Sequence, residues 1–151
     1  MVRKLARGSI IAALYVLITF LFAPVSFGTL IQFRASEALT VLPILFPEAI
    51  GGLYLGVMLA NILGGLGPID IFGGSLVTLL AAFLTYQTRN SWLAYVWPIV
   101  LNGLLISIYL APILGVPYWL GVLALSFSEA VVVLVLGIPL IQWLRRRNLF
   151  Q

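Results

Sequence analysis

Long apolar runs separated by brief polar turns dominate this chain. No charge falls within residues 8–33, 49–69, 71–88, 90–128 or 130–144, and a shorter charge-free run covers 38–47. A helix crossing the lipid core needs about 20 mostly apolar residues, so these runs predict membrane helices. A first span is expected from Gly8 to Ala23, ending at Pro24, with Gly28 and Thr29 in the loop that follows. The positively charged start resembles a signal peptide, but Pro24-Val25-Ser26-Phe27 is a poor small-residue cleavage site, so the span is read as retained. Ser36-Glu37 then offers a side-chain cap and an acidic first turn for a new helix. The apolar stretch that follows contains Pro43, Pro47, Gly51 and Gly52, and reads as one long kinked helix or two short ones meeting near 47–52. Gly64-Gly65-Leu66-Gly67-Pro68 breaks the chain, and Asp70 is placed to cap a helix over 71–86. Further spans are predicted over 92–114 and 118–144, separated by Gly115-Val116-Pro117.

The basic residues decide between the counts. Arg3, Lys4 and Arg7 lie at one end of the chain and Arg145, Arg146 and Arg147 at the other. Basic flanks stay cytoplasmic, so both termini should share a side and the number of crossings should be even. Counting 37–63 as two passes gives six and also places Arg89 inside. The expectation is therefore an all-α integral membrane protein in the cell membrane: a six-helix bundle with both termini cytoplasmic, forming one domain over 1–151. Its central helices would be short or broken, and such segments survive at membrane depth only when shielded or lining a cavity.

Composition narrows the chemistry. Hydrophobic residues make up 63% of the chain and charged residues 8%, too few to cover a soluble domain. Without cysteine or histidine there is no thiolate, no serine–histidine pair and no usual metal-ligand set, so neither a metal nor a cofactor is expected. Gly64 to Gly74 lacks the Gly-Lys-Ser/Thr ending of a phosphate loop, so the chain is not expected to hydrolyse ATP itself. The net charge of +4 belongs to terminal clusters and indicates membrane orientation, not nucleic-acid binding.

Few charges remain inside: Arg34, Glu37, Glu48, Asp70 and Glu129. Ionisable groups in a membrane are costly and point to function by default. Arg34 and Glu37 form either a local headgroup ion pair or a grip on a polar ligand at a cavity mouth, with Gln32 and Thr40 nearby. Glu48 fits a solvated cytoplasmic turn or, alternatively, a role in coupling or ligand contact. Asp70 is a helix cap or, with Asn61 and the adjacent glycines, part of a pocket wall. Glu129 lies 16 residues before Arg145, roughly 24 Å along a helix. It is therefore expected in the outer half, either facing a ligand or polar partner or snorkelling outward. Asn102, one turn after Pro98, either braces helix packing or reaches a ligand; that proline frees the carbonyl of residue 94. Trp97, Tyr109, Tyr118 and Trp119 are interfacial rings or stacking walls. Small residues four apart, including Gly8 with Ala12 and Ser9 with Ala13, mark close helix contact.

These features suit binding better than catalysis. Three functions fit them: a transporter subunit energised by partners, a self-contained proton-coupled carrier of a small polar or nucleobase-like solute, or a non-transporting assembly protein. The runs Gln32-Phe33-Arg34-Ala35-Ser36-Glu37-Ala38-Leu39-Thr40-Val41-Leu42-Pro43, Leu59-Ala60-Asn61-Ile62-Leu63-Gly64-Gly65 and Asp70 to Leu79 resemble the QueT family. The resemblance implies a queuosine-precursor transporter, the substrate-binding S component of an energy-coupling-factor (ECF) importer. Its implied partners are a membrane coupling protein (T component) and two cytoplasmic ATPases. Its implied ligand is 7-cyano- or 7-aminomethyl-7-deazaguanine. On this reading Arg34, Glu37, Asn61, Asp70, Asn102 and Glu129 bind substrate and Trp97 supplies a stacking wall. Gly8, Ala12 and Ala13 match the small-residue surface used against the coupling protein.

Overall fold

A computed structural model describes residues 1–28 and 31–147; Thr29, assigned above to the first loop, lies outside them. The order of elements is α1 (Val2–Leu21), a single turn α2 (Ala23–Ser26), a 3-10 segment (Ala35–Ile44), α3 (Ala49–Leu63), α4 (Ile69–Gln87), α5 (Leu93–Leu114) and α6 (Tyr118–Arg146). The protein is an all-α, multi-pass membrane protein, but the expected six crossings are corrected to four. Among the described residues only α1, α4, α5 and α6 are long and apolar enough to span a bilayer. Between Arg34 and Gly64 the chain forms a 10-residue 3-10 segment and a 15-residue helix. At roughly 2.0 and 1.5 Å rise per residue, each covers about 20–23 Å, short of the ~30 Å lipid core.

These two short elements are sheltered within the protein. Every residue from Ser36 to Ile44 is buried, while Leu17, Phe72, Phe83, Leu123 and Val135 of the long helices are exposed on the lipid-facing surface. The turn between the short elements reaches the same end as the basic N-terminus, where Arg7 Nη1 lies 3.3 Å from Glu48 Oε1 and Arg7 stacks over Phe46. Phe46 shares its apolar cluster with Ala94 and Ile141, which places the start of α5 and the end of α6 there too. One end of the molecule is thus apolar and rimmed with basic residues, the cytoplasmic end by the positive-inside rule.

Small residues set the spacing between α1 and α3. A methyl group on Gly52 would come within 2.5 Å of the Gly8 carbonyl oxygen, and one on Gly56 within 2.9 Å of Tyr15 Cβ. The backbones therefore approach closely enough to carry Tyr15 over the 3-10 segment. Within α5, Pro98 leaves the Ala94 carbonyl without its helical donor, and the Thr85 hydroxyl of α4 takes it at 3.0 Å. α5 ends at Gly115 in the left-handed conformation, φ 67°. Three wider π turns interrupt the long helices, at Ile69–Gly74, Asn102–Ile106 and Val133–Gly137. Such turns rotate the following side chains out of register and recur at functional sites. Two of them bear on the cavity.

Candidate functional site

Opposite the basic end, the elements diverge around a polar cavity of about 560 Å³ including its open mouth. Its lining draws on six segments. The loop before the 3-10 segment gives Gln32 and Arg34, and the segment itself gives Glu37. Asn61 comes from α3, Asp70 and Thr78 from α4, Asn102 and Tyr109 from α5, and Glu129 from α6. Six of the seven residues proposed from sequence to bind substrate thus meet in one place.

The seventh does not. Trp97 points its indole at the inner end, where Nε1 donates to Thr88 Oγ1 at 3.1 Å. The aromatic group that lines the cavity is Tyr109 instead. It lies seven residues beyond Asn102 on α5, across the π turn at Asn102–Ile106, and was one of the rings left open in sequence between membrane interface and stacking wall.

The mouth is stitched together by hydrogen bonds. Arg34 donates from Nε to the Ser26 carbonyl at 3.1 Å and from Nη1 to Asn61 Oδ1 at 3.3 Å, and its guanidinium lies over the Phe27 ring. The Asn61 amide donates to the Asp70 carbonyl at 2.8 Å, and the Tyr109 hydroxyl donates to Asp70 Oδ1 at 3.0 Å. Gly74 leaves room for this convergence, since a methyl there would sit 3.3 Å from Asn61 Nδ2 and 3.5 Å from the Tyr109 oxygen. Asp70 is no helix cap: it lies inside the first π turn, where no side-chain cap bond forms. Its carboxylate faces Tyr109.

Deeper in, Glu37 is held from behind. The Tyr15 hydroxyl, fully buried on α1, donates to one Glu37 carboxylate oxygen. Beside it the Thr19 and Ser36 hydroxyls pair at 2.7 Å, and Thr40 donates to the Glu37 carbonyl at 2.6 Å. Ser36 therefore joins two elements where a helix cap was expected, and Thr40 serves the backbone. Sequence reasoning missed Tyr15, because a tyrosine four residues before a threonine in an apolar span looks like any packed aromatic.

The interior remains incompletely paired. Glu37 Oε2, Asn102 Oδ1 and Glu129 Oε1 are buried without a hydrogen-bond partner among the described residues. Leaving a buried polar group unpaired costs about 1–3 kcal/mol, and more for a charged one. All three of these atoms line the same cavity and all are acceptors. Among the described residues, three carboxylates and a single guanidinium line this cavity, which leaves it with an excess of acceptors.

Gly8 and Ala12 face inward. Gly8 approaches the backbone of Glu48 and Gly52, and Ala12 is buried against Gly56. Ala13, one residue on, is exposed on the outer face of α1.

Comparison with known proteins adds the family. A model described as QueT transporter matches residues 5–146. The chain belongs to the QueT family. No curated protein and no solved structure matches it. Membership in the family makes the protein a membrane-embedded, non-catalytic transporter component for a queuosine precursor, working within an ECF-type system.

Proposed function

We propose that the cavity binds a 7-deazaguanine queuosine precursor directly. The carrying observation is the set of three unpaired acceptors, on Glu37, Asn102 and Glu129, buried in one pocket. A deazaguanine supplies the complementary pattern. Its ring N–H and exocyclic amine can bond to one carboxylate as a bidentate pair, strengthened by the charge. An aminomethyl substituent would bring an ammonium to the second carboxylate. Arg34, which has donors to spare beyond its bonds to Ser26 and Asn61, faces the ring carbonyl. Tyr109 provides the flat wall. The excess of carboxylates favours the aminomethyl precursor over the uncharged cyano form. Partner ATPases, through a membrane coupling protein, then drive release and uptake. The outward face of α1 around Ala13 is the part of the small-residue surface still open to such a partner, since Gly8 and Ala12 are taken up by α3.

Calorimetry on the purified protein tests the site. Each of Glu37→Gln and Glu129→Gln keeps the shape but replaces an acceptor and a charge. One charge-assisted hydrogen bond is worth about 1.5–3 kcal/mol, so each variant should weaken aminomethyl-precursor binding by about 10-fold or more. Unchanged affinity in both would remove the carboxylate reading. Binding should need no ATP, whereas uptake should need the partners. Robust uptake by vesicles holding this polypeptide alone would favour a self-contained carrier.

A further inference from the structure

The basic end carries a second cavity, separate from the substrate site. Arg89, Asn90 and Ser91 in the turn between α4 and α5, Trp92 and Tyr95 at the start of α5, and Arg145 near the end of α6 line it together. It spans about 750 Å³ including its open mouth. Two guanidinium groups more than fifty residues apart in sequence are thus folded into one hollow, with no carboxylate among the described residues that line it. Arg89 is fixed there: it stacks 4.4 Å from the centre of the Tyr86 ring, and Nη1 donates to the Tyr86 carbonyl at 3.1 Å. That leaves most of its five N–H donors available. Arg145 has no acidic partner among the described residues. Like charges brought together repel unless an anion sits between them.

The position says which anion. The hollow lies at the cytoplasmic end of the membrane helices, where Trp92 is 72% exposed. An exposed tryptophan at a helix end is characteristic of the headgroup layer. Planar guanidinium forks match phosphate oxygens, and basic hollows between helices on this side of a membrane suit anionic headgroups. We propose that Arg89 and Arg145 clamp the phosphodiester of an anionic phospholipid of the inner leaflet, with Asn90 and Ser91 completing the polar shell and Trp92 lying along the acyl–headgroup boundary.

The test uses the detergent-solubilised full chain, with phosphatidylglycerol, phosphatidylcholine and inorganic phosphate as separate probes. Phosphatidylglycerol should raise the Tm by at least about 3 °C and stay bound in native mass spectrometry, while phosphatidylcholine should do neither. Arg89→Gln with Arg145→Gln should abolish that selectivity and leave precursor affinity unchanged within about twofold. Retained selectivity in the double variant would overturn the proposal. So would equal stabilisation by phosphatidylcholine, or inorganic phosphate displacing the lipid, which would mark a soluble-anion site. Precursor binding, measured in the same samples, reports the integrity of the fold independently.

Discussion

Tyr15→Phe should weaken precursor binding although Tyr15 does not line the cavity. The substitution removes one oxygen from a fully buried side chain and leaves its Cβ packed against Gly56. What disappears is the donor to the rear oxygen of Glu37, whose other oxygen is the unpaired acceptor of this cavity-lining residue. With the donor present, the carboxylate is oriented before the ligand arrives. Without it, binding must immobilise a glutamate side chain, which costs about 0.5–1.5 kcal/mol, or roughly a 2- to 12-fold loss in affinity. Calorimetry on the wild type, Tyr15→Phe, Glu37→Ala and the double variant closes a thermodynamic cycle. Because Tyr15 acts through the carboxylate, its substitution should cost less than about twofold once Glu37 is alanine. An equal cost in both backgrounds would mean that Tyr15 only supports the fold, and no cost in either would refute the preorganised carboxylate. Thermal unfolding of the same proteins separates lost stability from lost affinity.

Trp97→Phe should leave precursor affinity unchanged within about twofold, since the indole bonds Thr88 at the far end of the molecule; its measurable effect is a stability loss of about 0.5–1.5 kcal/mol in thermal unfolding. Gly52→Ala should destabilise the protein by about 1–3 kcal/mol, because its methyl would meet the Gly8 carbonyl. Gly51→Ala is the control. A methyl there meets nothing within 4 Å, so denaturation should find the variant as stable as wild type or, through helix propensity, more so by up to about 1 kcal/mol.

Much of this protein follows from the sequence because lipid is a demanding solvent. Long apolar runs must be helical to satisfy their backbone, and the spans over 92–114 and 118–144 fall within a residue or two of α5 and α6. Scarce internal charges must find polar company, so Arg34, Glu37, Asn61, Asp70, Asn102 and Glu129 could be named before any of them was placed. Local pattern stops at the short central segments. Six passes followed from treating residues 37–63 as two spans, yet a 3-10 segment and a 15-residue helix are too short to cross, and only the walls around them make their depth tolerable. Tertiary structure alone turned Trp97 toward Thr88 and Tyr109 toward the cavity, since both rings lie on α5 and its rotation is set by packing and by the π turn at Asn102. It also spent Gly8 and Ala12 on α3, leaving Ala13 outside. Sequence determines which groups are too costly to leave unpaired in a membrane; the packing of helix against helix decides which of them find partners and which stay unpaired in the cavity.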